Sequence, residues 1–169
     1  MFFLKTHYHR TVQKDLILTD IVKTVYEVPK TNKISLSLSS DNKSDSSVVG
    51  CLFVSKVIGG QKPFMLKQRP TNGGKVIGGK ITLRNTYLYS FLYKLVTRSL
   101  PNLNNFEGLE LPIHHNTFTF ILKDIFVFDE LKPLFPYLED LGPLQCQLHL
   151  TTKEKQEVFM LTSGILFLF

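Results

Sequence analysis

Two features in the middle of the chain could bind phosphate: a glycine-rich loop that ends in lysine, and a run of cations with no neighbouring acids. The loop 74–80 (GKVIGGK) matches the first seven positions of the phosphate-binding GxxxxGK[ST] loop. The eighth position is Ile81, where magnesium binding needs a hydroxyl, and the residues that follow favour a strand where the motif requires a helix. We therefore interpret the match as accidental and keep a nucleotide-binding enzyme only as an alternative.

The cations are the stronger signal. No Asp or Glu lies between Asp45 and Glu107, whereas nine basic residues do. Residues 1–106 carry 16 basic and 5 acidic side chains, a net charge of +11, and residues 107–169 carry 4 and 9, a net charge of −5. A surface of one sign attracts polyanions, most commonly nucleic-acid phosphate. A lysine-rich surface that only meets solvent is the alternative that charge alone leaves open.

Residue types that catalyse reactions or hold metals form no recognisable pattern. We expect Cys51 and Cys146 to be small buried apolar residues, and the five histidines lack metal-site spacing. The sequence predicts no cofactor, no metal site and no enzymatic activity. It also predicts no membrane partner, because no stretch approaches the roughly 20 apolar residues of a span. The acidic residues of the second half should form a solvated edge: Asp129, Glu130, Glu139 and Asp140.

The first elements that position the basic residues follow from hydrophobic spacing. An amphipathic helix is predicted over 7–25, and a polar loop or disordered insert over 39–47. Residues 33–38 alternate as a half-buried strand, with Ile34, Leu36 and Leu38 inward. Residues 48–58 fit a helix or a strand equally. The inward residues of the first helix are expected to be Val12, Leu16, Ile17, Ile21 and Val25.

The remaining elements complete an α+β pattern. Strands 64–69 and 76–84 form a basic hairpin, and Asn85 caps a helix over 86–100 that Pro101 ends. Further strands are predicted at 117–122 and 144–152, a loop with a helical turn at 130–141, and a closing helix at 153–166. The pattern predicts one domain over 1–169: an antiparallel sheet of about five strands with helices packed mainly on one face.

The three basic strands of this sheet would present one polar face. Lysine and arginine neutralise phosphate, and hydroxyls hydrogen-bond phosphate oxygens and ribose 2′-OH groups. An exposed sheet face without a ligand is the alternative. The predicted face consists of Lys33, Ser35, Ser37, Lys67, Arg69, Lys80, Thr82 and Arg84.

At these residues the sequence resembles a known family. The segments 28–38 (VPKTNKISLSL), 60–63 (GQKP), 80–84 (KITLR), 100–101 (LP), 105–109 (NFEGL) and 116–118 (NTF) follow one another in order. Together they resemble large-subunit ribosomal protein five, the protein that anchors 5S rRNA in the central protuberance. The resemblance spans nearly the whole chain.

The resemblance implies a non-enzymatic structural protein of the large subunit that binds 5S rRNA and large-subunit rRNA. It also implies neighbouring large-subunit proteins and a bridge to a small-subunit head protein as partners. By motif position, Lys33, Gln61 and Thr82 would contact 5S rRNA, and Ser37 stands where the family usually has asparagine. The complete predicted binding set is Lys33, Ser37, Gln61, Lys62, Lys67, Arg69, Lys80, Thr82 and Arg84.

Two features refine this expectation. The hairpin loop 70–73 is several residues shorter than in the family and carries no charge, so we expect no contact with P-site tRNA.

The chain contains no alanine but 14 phenylalanines, a bias typical of an AT-rich organelle gene. We therefore expect a mitochondrial version in the matrix, on a ribosome whose 5S rRNA could be replaced by other rRNA. An alternative within the same ribosome is a protein held mainly by its protein neighbours.

Overall fold

The described part of the chain has an α+β fold with a five-stranded antiparallel sheet, which confirms the predicted fold class. A computed structural model describes residues 3–19, 24–40, 44–68, 74–103, 116–138, 141–152 and 154–166. The strand order across the sheet is β2-β3-β1-β5-β4. The strands are β1 (Lys30–Ser40), β2 (Phe64–Lys67), β3 (Val76–Arg84), β4 (Thr117–Leu122) and β5 (Leu141–Thr151).

The main helices are α1 (Phe3–His7), α2 (Gln13–Thr19), α3 (Asp45–Gly59), α4 (Asn85–Lys94), α5 (Phe135–Leu138) and α6 (Lys155–Leu166). A π-helical turn, Tyr8–Val12, joins α1 to α2, and another, Leu95–Ser99, continues α4. Short 3-10 turns lie at Val25–Glu27, Leu100–Asn102, Ile125–Val127 and Lys132–Leu134. None of the helices in the described ranges is long and apolar enough to cross a membrane.

Burial of every second side chain explains why these segments form strands. In β1 the inward residues Ile34, Leu36 and Leu38 are buried, as predicted. β4 and β5 also bury every second residue along their central parts. The buried residues of β5 include Cys146, and Cys51 is buried in α3, so both cysteines have the predicted apolar environment. Burial raises the pKa of the Cys146 thiol, which keeps it protonated and unreactive.

The chain divides into two compact units, and each is described separately. The terminal unit comprises Met1–Ile34, Arg84–Phe120 and Gln147–Phe169. The central unit comprises Ser35–Leu83 and Ile121–Cys146. That residues 1–169 act as one domain stays a prediction.

In the terminal unit, the N-terminal helices pack against α6. The buried line is Leu4, Tyr8, Val12 and Leu16, and a Cβ at Gly164 would stand 3.1 Å from Val12. Val12 and Leu16 were predicted to be inward, but Ile17 is 45% exposed. Ile17 is rotated by about 100° from the buried Leu16 around the helix axis, which turns it away from the buried line. Ile21 and the side chain of Val25, also predicted to be inward, lie outside the described residues.

In the central unit, α3 lies directly on β3. A Cβ at Gly59 would meet Ile81 Cδ1 at 2.9 Å, so glycine allows a close approach of helix to strand. Ser44 caps α3, since its side chain accepts a hydrogen bond from Ser47 N. Gly60 ends the helix in the left-handed conformation, with its N–H donating to Lys56 O at 2.9 Å.

Three local predictions are corrected by these elements. Residues 39–47 are not one loop, because β1 continues to Ser40 and α3 begins at Asp45. The helix that follows β3 has Arg84 at its cap position without a side-chain hydrogen bond, and Asn85 has a left-handed backbone instead of capping. The helical path also continues to Asn102, because Pro101 sits in the first turn of a 3-10 helix, where no N–H is needed.

Candidate nucleic-acid interface

Pairing of β2 with β3 decides which residues share a face of the central unit. Phe64 lies opposite Lys80, and Met65 opposite Gly79. A Cβ at Gly79 would meet Ser55 Oγ at 3.1 Å and a methyl group of Leu52 at 3.2 Å, so Gly79 faces α3. Because successive residues of a strand point to opposite faces, Lys80 and Thr82 point away from α3. We call this side of the central unit the open face.

β1 contributes Ser37 to the same open face. Ser37 lies between the buried Leu36 and Leu38, is half-buried, and donates from its hydroxyl to Gln145 Oε1 at 3.3 Å. β3 lies beside β1 at this level, since a Cβ on Gly78 would stand 2.1 Å from Leu38 O. The structure therefore brings together three of the predicted residues, Ser37, Lys80 and Thr82, on adjacent strands.

Lys67 is the main correction to the predicted face. Leu66 lies opposite Gly78 on the open face, and regular alternation along β2 places Lys67 on the other face, with Met65. A register shift follows immediately, because Lys67 pairs with Val76 and leaves one extra residue in β3. Lys67 is exposed but does not share a face with Lys80. Arg69 and the hairpin loop lie outside the described residues.

Gln61 and Lys62 connect α3 to β2. Gln61 is half-buried and Lys62 is exposed. Both come directly after Gly60, whose left-handed backbone ends α3. Gly60 therefore sets the direction in which the chain leaves the helix. They belong to the central unit together with Ser37, Lys80 and Thr82.

Lys33 and Arg84 belong to the terminal unit. Lys33 is half-buried beside the buried Ile34, and Arg84 is exposed where β3 meets α4. Ser35, which was predicted to be on the polar face, is only 5% exposed. Because β1 is the middle strand of five, neighbouring side chains on both sides can shield so short a residue.

Three lysines of the central unit, unlike Lys132, form no ion pair with a described carboxylate. Within the ranges that the structure describes, no carboxylate pairs with Lys62, Lys67 or Lys80. The acidic second half behaves differently: Asp129 forms an ion pair with Lys132 at 2.6 Å, and both side chains are about half exposed. This agrees with the predicted solvated edge at Asp129 and Glu130, while Glu139 and Asp140 lie outside the described residues.

Sequence reasoning missed four residues of the open face. Phe64 is 75% exposed opposite Lys80, and Leu66 follows it on the same side. Ile121 is 58% exposed between the buried Phe120 and Leu122, and Gln145 is exposed between buried neighbours in β5. Alternation along the strands was the signal that could have found them. In β4 and β5, the residues between the buried ones must lie on this face, and in β2 so must the residues that alternate with Met65 and Lys67.

The phosphate-loop alternative loses its structural basis. Gly78, Gly79 and Lys80 lie inside β3, whereas a phosphate-binding loop must open directly into a helix. Among the described residues, no group of three or more His, Cys, Asp or Glu side chains could hold a metal ion.

Comparisons with known proteins show which family the chain belongs to. The chain matches no protein-family model. It is 30% identical to large ribosomal subunit protein uL5 of Nitrosomonas europaea, over 98% of this chain and 97% of the relative. The chain belongs to the uL5 family. It is also 26% identical to uL5c of Rhodomonas salina and 28% identical to uL5m of Reclinomonas americana, with 96% and 95% of this chain and 94% of each relative covered.

Membership defines the broad function. The protein is a structural component of the large ribosomal subunit, like its bacterial, chloroplast and mitochondrial relatives. These relatives are not enzymes, and this uL5 protein is therefore not expected to catalyse a reaction. Its place is the ribosome, with rRNA and ribosomal proteins as its classes of partner.

Proposed function

We propose that this uL5 protein binds 5S rRNA in the central protuberance through the open face of its central unit. Ser37, Lys80 and Thr82 form the centre of the interface. The observation that carries the proposal is the position of Lys80, a cation that pairs with no carboxylate in the described part of the chain, on the same face as two hydroxyl side chains. Gln61 and Lys62 of the same unit would add contacts, while Lys33, Lys67, Arg69 and Arg84 stay predicted RNA contacts that are not assigned to the open face.

The chemistry of this face suits an RNA helix. A lysine ammonium neutralises one phosphate, and serine and threonine hydroxyls can donate to phosphate oxygens or exchange hydrogen bonds with ribose 2′-OH groups. Ser37 already uses its proton toward Gln145, and its oxygen remains able to accept a bond from a 2′-OH. The face would therefore recognise the shape and backbone of RNA more than its sequence.

Charge distribution supports a second part of the proposal. The acidic residues of the second half, which give it a net charge of −5, would face solvent or the basic small-subunit head protein at the inter-subunit bridge. Like charges between these carboxylates and rRNA phosphate would oppose contact at the acidic residues, whereas uncharged residues of the same half, such as Gln145, can still meet RNA. Loss of the bridge on reversing Asp129 to lysine, without loss of 5S rRNA, would support this orientation.

We further propose that the protein works in a mitochondrial ribosome. Support comes from the similarity to a mitochondrial relative and from the alanine-free, phenylalanine-rich composition. Isolation of the chain with large subunits from purified mitochondria would test this. Recovery of the chain only with chloroplast or cytoplasmic ribosomes would contradict it.

The direct test of RNA binding compares two lysines of the central unit. Lys80→Ala removes the open-face cation, and Lys56→Ala removes an exposed lysine of α3, which lies on the other side of the sheet. We expect Lys80→Ala to weaken binding of the full chain to a 5S rRNA transcript by about 1.5–3 kcal/mol, as for a charge-assisted hydrogen bond. Lys56→Ala should have little effect. Equal losses in both variants would mean that binding depends on net charge alone.

A second candidate function is retention by protein neighbours, and exposed apolar residues of α3 favour it. Val49 and Phe53 are 64% and 46% exposed, one turn apart on the outer side of the helix. Exposed apolar clusters often mark protein interfaces. If this contact dominates, Phe53→Ser should release the chain from large subunits in a high-salt wash, and Lys80→Ala should not.

A further inference from the structure

The open face contains a groove without charged side chains. It has a volume of about 280 Å³ and lies entirely within the central unit. Its lining alternates between apolar and uncharged polar side chains. The lining residues are Ser37, Ser39, Leu66, Ile121, Pro143 and Gln145.

The shape of the groove follows from small side chains across the sheet. Leu66 stands on β2, Ser37 and Ser39 on β1, and Ile121 on β4. Between Leu66 and Ser39 lies Gly78 of β3, which is opposite Leu66 and cannot carry a side chain. Glycine and the serines thus form a low floor, with larger apolar side chains rising at the two ends.

The groove chemistry selects one kind of occupant. A phosphate would find no cation among the lining residues, and an apolar protein side chain would offer no hydrogen bond to the Ser39 hydroxyl or to the amide N–H groups of Gln145. A nucleobase has apolar faces that can lie against Leu66 or Ile121, and polar edges for the serine hydroxyls and the Gln145 amide, each of which can donate and accept. At about 280 Å³ the groove is slightly smaller than the roughly 300 Å³ at which drug-sized sites begin, which suits one base.

We propose that this groove receives a single unpaired base of the bound rRNA. Lys80 holds the adjoining phosphate, and the base leaves the helical stack to enter the groove, where it lies against the apolar side chain at one end, Leu66 or Ile121. This inference rests on the proposed binding of RNA by the open face. It adds that the protein distinguishes RNA with an unpaired nucleotide from a continuous duplex.

The test uses the full chain and two synthetic RNAs of equal length, a blunt duplex and the same duplex with one bulged nucleotide, prepared with each of the four bases. Ser39→Leu fills the floor of the groove without changing charge. Val49→Ser on the outer side of α3 is the control, and Lys80→Ala reports on phosphate binding. Circular dichroism checks that each variant is folded.

We expect the wild-type chain to bind at least one bulged RNA about tenfold more tightly than the blunt duplex, the size expected for one base contact. Ser39→Leu should abolish this preference and leave duplex binding unchanged, whereas Lys80→Ala should weaken both complexes. Wild-type binding without preference, or a preference that survives Ser39→Leu, would overturn the groove assignment and leave the proposed function intact. Failure to bind either RNA would overturn both.

Discussion

Gly78→Ala provides a sensitive test of how β3 meets β1. A Cβ at this position would stand 2.1 Å from Leu38 O, 2.8 Å from Ser39 Cα and 3.0 Å from Leu38 C. All three atoms belong to the backbone, so no side chain can rotate away. The two strands must move apart by almost 1 Å before the contact between the added Cβ and Leu38 O becomes acceptable. This separation weakens the hydrogen bonds between β3 and β1.

The expected cost combines two effects. Overpacking at a rigid site costs about 1–3 kcal/mol, and each weakened ladder bond adds up to about 1 kcal/mol. Alanine also stabilises the folded state by about 0.5–1 kcal/mol, because it restricts the unfolded chain more than glycine does. The last two contributions roughly cancel, so the net loss in unfolding free energy is about 1–3 kcal/mol, or a fall in Tm of about 2–12 °C for a chain of this size.

The assay is urea or thermal unfolding of the full chain, followed by circular dichroism, with Gly50→Ala as the matched control. A Cβ at Gly50 would lie 3.3 Å from the Leu138 side chain and 3.4 Å from that of Leu141, and both can move. In the interior of α3, alanine should be neutral or stabilising by up to about 1 kcal/mol. A Gly78→Ala variant within about 0.5 kcal/mol of wild type would refute the close contact between β3 and β1.

Two further predictions concern stability. Tyr8 donates to Pro29 O at 2.7 Å; burial, with a smaller contribution from Tyr89, raises its pKa from 10.0 to about 12. The unfolded chain therefore loses this proton first, and the free energy of unfolding should fall as the pH rises from 10 to about 12. Tyr8→Phe should reduce that fall in pH-dependent urea melts, and an unchanged slope would count against a buried phenol. Ser44→Ala removes the cap of α3 and should cost about 1 kcal/mol; Ser46→Ala, which removes no cap, should stay within about 0.5 kcal/mol. Equal costs would disprove the capping role.

Hydrophobic alternation predicted much of the sheet because its inner face is buried continuously. Residues of β1, β4 and β5 alternate between apolar and polar, and β3 has the predicted bounds. α3 could not be assigned by the same signal, since Val49 and Phe53 add apolar residues to its exposed side. The capping serine at Ser44 was the local feature that distinguishes a helix from a strand there.

The candidate interface was predictable in part. Ser37, Lys80 and Thr82 share a face because each lies in a regularly alternating segment. Lys67 was misplaced because alternation within β2 had to be combined with its register against β3, and the register depends on tertiary contacts. The groove could not be predicted at all, because it requires Leu66, Ile121 and Gln145 from three strands that are distant in the sequence.

The most direct test of the central claim is to map protein–RNA crosslinks by mass spectrometry in purified large subunits that contain this chain. The account predicts crosslinks from 5S rRNA, or from the rRNA that replaces it, to the β3 peptide with Lys80 and Thr82 and to the β1 peptide with Ser37. Crosslinks that fall only on the outer side of α3, or a complete absence of RNA crosslinks to the open face, would contradict it.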